Sequence, residues 1–187
     1  MNHPSRTFSV KVPTKTYLRK YLQAMYAEEL LLHYRSDIGT FILSTLTKET
    51  HDVKLNAEDI ADRLSKMTDT VTFAGSLGTM DYKGHTVDPE KIIAINRFLE
   101  QMFVKDMHLF CATQKRPRAW RPGISDAIYA FAEGLKLELP EDTTFDALKK
   151  AESRYRKKLE QKFVGFVPLQ NRPMQIGYFG GYGALAM

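Results

Sequence analysis

The feature that most constrains this 187-residue chain is the helix start at Asp88-Pro89-Glu90. An Asp at the capping position, a Pro whose missing N–H would have had no partner, and a Glu facing the positive end of the helix dipole all favour one boundary. Ile92, Ile95, Leu99, Met102, Phe103 and Phe110 then recur on one side, which predicts a helix over 89–112 with a long apolar face. A face of that length must be covered by other elements, so this helix is expected to be the spine of the core. Its Met and Phe side chains read as core packing, not as a cofactor box.

Shorter elements are available to cover it. Phe8, Val10 and Val12 alternate over residues 7–12 with the period of a half-buried strand, and Pro13 is expected to end it. Thr14 is placed to cap a following helix in which Leu18, Tyr21, Leu22 and Met25 share a face, with Lys15, Arg19 and Lys20 largely off it. Asp37-Ile38-Gly39-Thr40 opens a short apolar helix with Phe41, Ile42, Thr45 and Leu46 turned inward. Asn56 caps a helix with Glu58 and Asp59 in its first turn and an Ile60, Leu64, Met67 stripe. Residues 70–73 are rich in strand formers and can pair with the first strand. Ile124, Ala127, Ile128, Phe131 and Leu135 mark another helix, residues 137–142 interrupt it, and Thr144 or Asp142 caps a final helix reaching Lys162.

Composition narrows the class. With 43% apolar and 26% charged residues, the chain sits near globular averages and far from a wholly disordered one. It has no run of about 18 apolar residues, the length a spanning helix needs. Met1-Asn2-His3-Pro4-Ser5-Arg6 lacks the apolar core of a secretory signal. Cys111 is the sole cysteine, so there is no intrachain disulfide and no thiolate cluster for zinc. A soluble cytoplasmic protein without a membrane partner is expected.

The net charge of +5 is unevenly spread. Residues 1–36 carry six Lys/Arg against two Asp/Glu, residues 37–112 carry eight against twelve, and residues 113–187 carry thirteen against eight. A localised positive field attracts polyanions even when the net charge is modest. The final helix concentrates Lys149, Lys150, Arg154, Arg156, Lys157, Lys158 and Lys162 against Glu152 and Glu160. Phe145, Leu148, Tyr155 and Leu159 mark its buried side. Lys150, Arg154 and Lys157 stand at i, i+4 and i+7 on the opposite stripe, with Lys149 and Arg156 flanking it. Such a row is spaced to meet several phosphates. A helix, a turn and a basic second helix is also the order of a helix-turn-helix, although this turn is longer than the usual one. Upstream, residues 115–121 hold Lys115, Arg116, Arg118 and Arg121 with the only tryptophan, Trp120, and no acid. Arginine suits phosphate or a base edge and Trp suits stacking; the structural alternative is that Trp120 anchors the loop to the core. For the basic helix, the alternative is a merely solvated face.

Catalytic constellations are weak. His3, His33, His51, His85 and His108 are scattered, and no two share the i, i+4 spacing of a helical metal site. Asp88, Glu90 and Lys91 resemble a nuclease set only superficially, because cap, proline and first-turn acid already account for them. Gly75-Ser76-Leu77-Gly78 lacks the third glycine and the lysine of a phosphate loop. Cys111 is expected to be buried rather than nucleophilic. No catalytic residue, metal site or cofactor is nominated.

The string Phe145-Asp146-Ala147-Leu148-Lys149-Lys150-Ala151-Glu152-Ser153-Arg154-Tyr155-Arg156-Lys157-Lys158, after Ala127-Ile128-Tyr129-Ala130-Phe131, resembles the C-terminal segment of uncharacterised small basic proteins of bacterial phages and mobile elements. Val10-Lys11-Val12-Pro13 leading into Tyr17-Leu18-Arg19-Lys20-Tyr21-Leu22 has the same character. The resemblance implies a DNA-associated role in a mobile-element setting and transfers no functional residue.

The expected fold is mainly α with a small strand pair, an α+β class with a long central helix and a C-terminal basic helical pair. The chain divides into a mixed core (1–114), a basic linker (115–123), a helix-turn-helix-like pair (124–162) and a tail (163–187). From Gly177 to Met187 the tail is uncharged and holds four glycines, two tyrosines and a phenylalanine, which suits contact with protein, either a partner or a second copy. The expected function is non-enzymatic binding of nucleic acid, DNA before RNA. The alternative is an assembly component without DNA binding, and a metal-dependent nuclease ranks a distant third.

Overall fold

Alternation sets the sheet: Phe8, Val10 and Val12 of β1 (Thr7–Thr14) are buried, while Ser9 and Lys11 between them are exposed. The computed structural model describes residues 7–26, 30–33, 35–47, 56–76, 87–114 and 123–163. β1 pairs antiparallel with β3 (Asp69–Ser76), from Thr7 opposite Ser76 to Thr14 opposite Asp69. The expected strand pair is therefore present. A third strand, β2 (Leu30–Leu32), joins the other side of β3 in parallel, giving the order β1-β3-β2. β1 also runs through Pro13, where the sequence predicts a stop. It pairs with β3 alone, and a strand that bonds on one side tolerates a residue without an N–H. Gly75 lies opposite Phe8, and a Cβ there would come within 2.5 Å of the Phe8 ring.

The described residues also form six helices, α1 (Thr16–Met25), α2 (Asp37–Thr47), α3 (Ala57–Ser65), α4 (Pro89–Thr113), α5 (Ile124–Gly134) and α6 (Phe145–Phe163), of which α1, α2 and α4 pack on the sheet. α4 is the spine, as its start signal predicts, with Ile92, Ile95, Leu99, Phe103, Met107 and Cys111 buried along it. Met102 and Phe110 are half-buried at its margins. The Phe103 ring meets Tyr17, Tyr21 and Phe131 edge-on, with centroids 5.1, 5.4 and 5.6 Å away. Ala127, Ile128 and Phe131 of α5 and Leu148 of α6 join the same buried cluster as Val12, Phe73 and Leu99.

Local chemistry fixes several element ends, with departures from expectation. Asp88 stands at the N-cap position of α4, but its side chain makes no capping hydrogen bond and lies 3.8 Å from Lys91 Nζ instead. Asn56 caps α3 by accepting the Asp59 N–H at 2.8 Å. Thr14 does not cap α1. Its buried hydroxyl donates to Asn96 Oδ1 at 2.7 Å, and the Asn96 amide donates to the Pro13 and Ile92 carbonyls at 2.8 and 2.9 Å. Leaving such a hydroxyl buried and unpartnered would cost about 1–3 kcal/mol, so the tertiary partner outcompetes the local cap. Met25 stands on the expected apolar stripe but closes α1 and is 52% exposed.

α5 ends in a Schellman motif, in which the Leu137 N–H donates to the Ala132 carbonyl and the Lys136 N–H to the Glu133 carbonyl, both at 2.9 Å. Lys136 takes a φ of 54° to make it. The left-handed conformation costs a side-chain-bearing residue about 1–2 kcal/mol, and glycine avoids that crowding. Lys136→Gly is therefore expected to raise stability by about 1 kcal/mol, seen as a higher urea midpoint with an unchanged slope. No helix among the described residues is long and apolar enough to cross a membrane. The basic segment 115–122 and residues 164–187 lie outside the described residues, as do the expectations placed on them.

Candidate nucleic-acid interface

α6 begins where Thr144 Oγ1 accepts the Ala147 N–H at 3.2 Å. Its inner side carries Leu148, which is buried, and Phe145, Ala151, Tyr155 and Leu159, which are half-buried. Phe145 stacks on Tyr129 of α5 with centroids 4.2 Å apart, and Tyr155 tilts against His108 of α4 at 5.3 Å. These contacts orient the helix, so Lys149, Lys150, Arg154, Lys157, Lys158 and Lys162 are exposed and Arg156 is half-buried. The i, i+4, i+7 row of Lys150, Arg154 and Lys157 thus lies away from the apolar seam. Arg154, Lys158 and Lys162 form a second row at i, i+4 and i+8.

One acid expected to oppose these cations is turned inward. Glu152 is only 2% exposed, and its Oε1 lies 3.2 Å from His108 Nδ1. The outer surface of α6 keeps Asp146 and Glu160 as its exposed acids.

The basic residues of α1 behave differently. Lys15 pairs with Glu100 at 2.6 Å, Arg19 with Asp69 at 2.5 Å, and Lys20 with Asp142 and Glu138 at 2.7 and 3.5 Å. The Asp142 hydrogen bond holds the Lys20 ammonium above its ordinary pKa, against the opposing pull of desolvation. In a pocket of about 490 Å³ beside them, Arg19 and Lys20 are therefore already engaged, and Lys136 is the lining cation without an ion pair among the described residues. By contrast, none of the α6 cations makes an ion pair among the described residues.

A second pocket, of about 350 Å³, opens between the start of α2, the middle of α4 and the second half of α6. Phe98, Met102 and Tyr155 give it an apolar, half-buried lining, and exposed Lys105 and Lys158 stand at its edge. Asp37 and Asp106 also face it. Asp106 Oδ2 accepts from the Tyr21 hydroxyl at 2.5 Å; burial first, then Asp106, raises that phenol well above the ordinary tyrosine range and keeps it a donor.

No family model, curated protein or solved structure matches this chain. What points to a function is therefore the arrangement of its side chains. Of the sequence-expected contacts, Lys149, Lys150, Arg154, Arg156, Lys157 and Lys158 come together on α6, while Lys115, Arg116, Arg118, Trp120 and Arg121 lie outside the described residues. The pocket is not among the sequence expectations. Its signal was present in α4, where Phe98, Gln101, Met102 and Lys105 stand at i, i+3, i+4 and i+7, a stripe beside the buried one. Among the described residues no three His, Cys, Asp or Glu side chains gather as a metal site.

Proposed function

We propose that this chain is a non-enzymatic nucleic-acid-binding protein, acting on DNA before RNA, with α6 lying along the phosphate backbone. The observation that carries this is the contrast in ion pairing: the cations of α1 are engaged by acids, and those of α6 have no acidic partner among the described residues. A helix-turn-helix brings the N-terminal end of its second helix to the base edges. The first turn of α6 holds Asp146, and its cations begin at Lys149, so the helix suits phosphate tracking better than base reading. The basic segment 115–121 would add contacts, and the resemblance to phage and mobile-element proteins favours the same cytoplasmic, DNA-associated role.

Assembly through protein contacts is the second reading, favoured by the exposed Leu31 and Leu109 and by the uncharged residues 177–187. Fluorescence anisotropy with duplex and single-stranded DNA across a salt series separates the two. Three duplex phosphate contacts predict a log–log slope of about −2.7 or steeper. Absence of salt-dependent binding would transfer the case to assembly.

A further inference from the structure

Building on the nucleic-acid reading, we propose that the pocket between α2, α4 and α6 receives one unpaired nucleobase, with its phosphate beside Lys105 and Lys158, and favours bases bearing an exocyclic amino group. Position supplies the first reason. Lys158 belongs both to the Arg154, Lys158, Lys162 row on α6 and to the pocket edge, so a strand following that row passes the opening. Its volume falls in the range of small-ligand sites, about 300–1,000 Å³.

The lining chemistry supplies the rest. Tyr155, Phe98 and Met102 offer apolar surface, and aromatic rings hold bases by stacking. Phe98 is held in place by Phe41, stacked on it at 4.1 Å with planes 7° apart. An aliphatic ligand would have to lie against Asp37 and Asp106, whereas a base can donate to them. Asp106 engages Tyr21 through Oδ2, and Oδ1 has no partner among the described residues. A carboxylate only accepts, so the N4 amino group of cytosine suits it and the O4 of thymine in the same place does not. A base held in a duplex cannot enter, so the site selects single strands or extruded bases.

The test compares labelled oligo-dC and oligo-dT of equal length, with a duplex of the same length, by anisotropy at fixed salt. Oligo-dC is expected to bind about fivefold or more tightly than oligo-dT, the low end of the discrimination that a base-edge hydrogen-bond contact supplies. The Asp37→Asn/Asp106→Asn variant keeps side-chain volume and leaves the Tyr21 hydroxyl an amide oxygen to donate to. It should tighten oligo-dT binding and erase the dC preference, whereas purely electrostatic binding would tighten both ligands equally. If the double variant loses its fold, an oligomer of N4,N4-dimethyl-dC offered to the unaltered protein gives the same contrast, because it removes the donor that Asp106 Oδ1 would accept, and it should bind no better than oligo-dT. Equal salt-dependent binding of dC, dT and duplex by the unaltered protein would overturn the pocket and leave the α6 reading standing. A dC preference that survives the substitutions would also overturn it. Absence of salt-dependent binding to any of the three would overturn both.

Discussion

Replacing Lys150, Arg154 and Lys157 together with Ala is expected to leave the protein folded and to weaken duplex DNA binding by roughly two to three orders of magnitude at 0.1 M salt. The log–log salt slope should become shallower by about 2.7, or 0.9 for each phosphate that the variant no longer neutralises. The fold should survive because Ala is the best helix former and the side of α6 bearing Leu148 and Tyr155 is untouched. Changing Lys54, Lys66 and Lys83 in the acidic middle lowers the charge equally and serves as the control. In that set Lys66 is held by Asp62 at 2.6 Å on α3, and Lys54 and Lys83 lie outside the described residues. Equal losses of affinity in the two triple variants would mean that net charge alone governs binding and that α6 is not the docking face.

The largest stability effect is expected from Phe103→Ala. Phe103 is buried at the middle of α4, where its ring is gripped by Tyr17 and Tyr21 of α1 and by Phe131 of α5. Truncation removes the buried ring and leaves a void that three aromatic neighbours cannot all close, at a cost of about 3–5 kcal/mol. Urea unfolding should show the midpoint falling by a corresponding amount. A loss below about 1 kcal/mol would mean that the surrounding rings collapse into the space, so that Phe103 is not the joint between α1, α4 and α5.

The elements legible in the sequence carried two agreeing signals. α4 had an Asp, a proline and an acid at its start as well as a stripe; α3 had Asn56 and two first-turn acids; β1 had clean alternation of Phe8, Val10 and Val12, all good strand formers, although it runs on through the Pro13 expected to end it. β2 had neither, because three leucines in a row show no period and the strand exists only through its pairing with β3. Thr14 shows the limit of local rules, since its partner Asn96 is 82 positions away. Glu152 is the corresponding case within the candidate site. A glutamate on a basic helix is expected in solvent, and only His108, 44 positions upstream, draws it inward. The cationic row of α6 was legible because it needs nothing but helical spacing. The pocket beside it was legible only in its α4 part, the Phe98, Gln101, Met102, Lys105 stripe, because Asp37, Tyr155 and Lys158 reach it from two other helices whose packing no local rule supplies.

The strand order has a kinetic consequence. β3 lies between β1 and β2, and both of its partners precede it in the chain, so neither can pair until residues 69–76 are available. During synthesis β1 waits, its Phe8, Val10 and Val12 side unshielded by the sheet, while the chain through α3 is made. Closing the loop from Thr7 to Ser76 costs entropy before any ladder bond repays it. Helical segments need no such closure, so α4, α5 and α6 can acquire local structure on a faster clock than the sheet. The rate at which the native state is reached should therefore follow the β1–β3 encounter rather than the formation of the helices that make up most of the described residues.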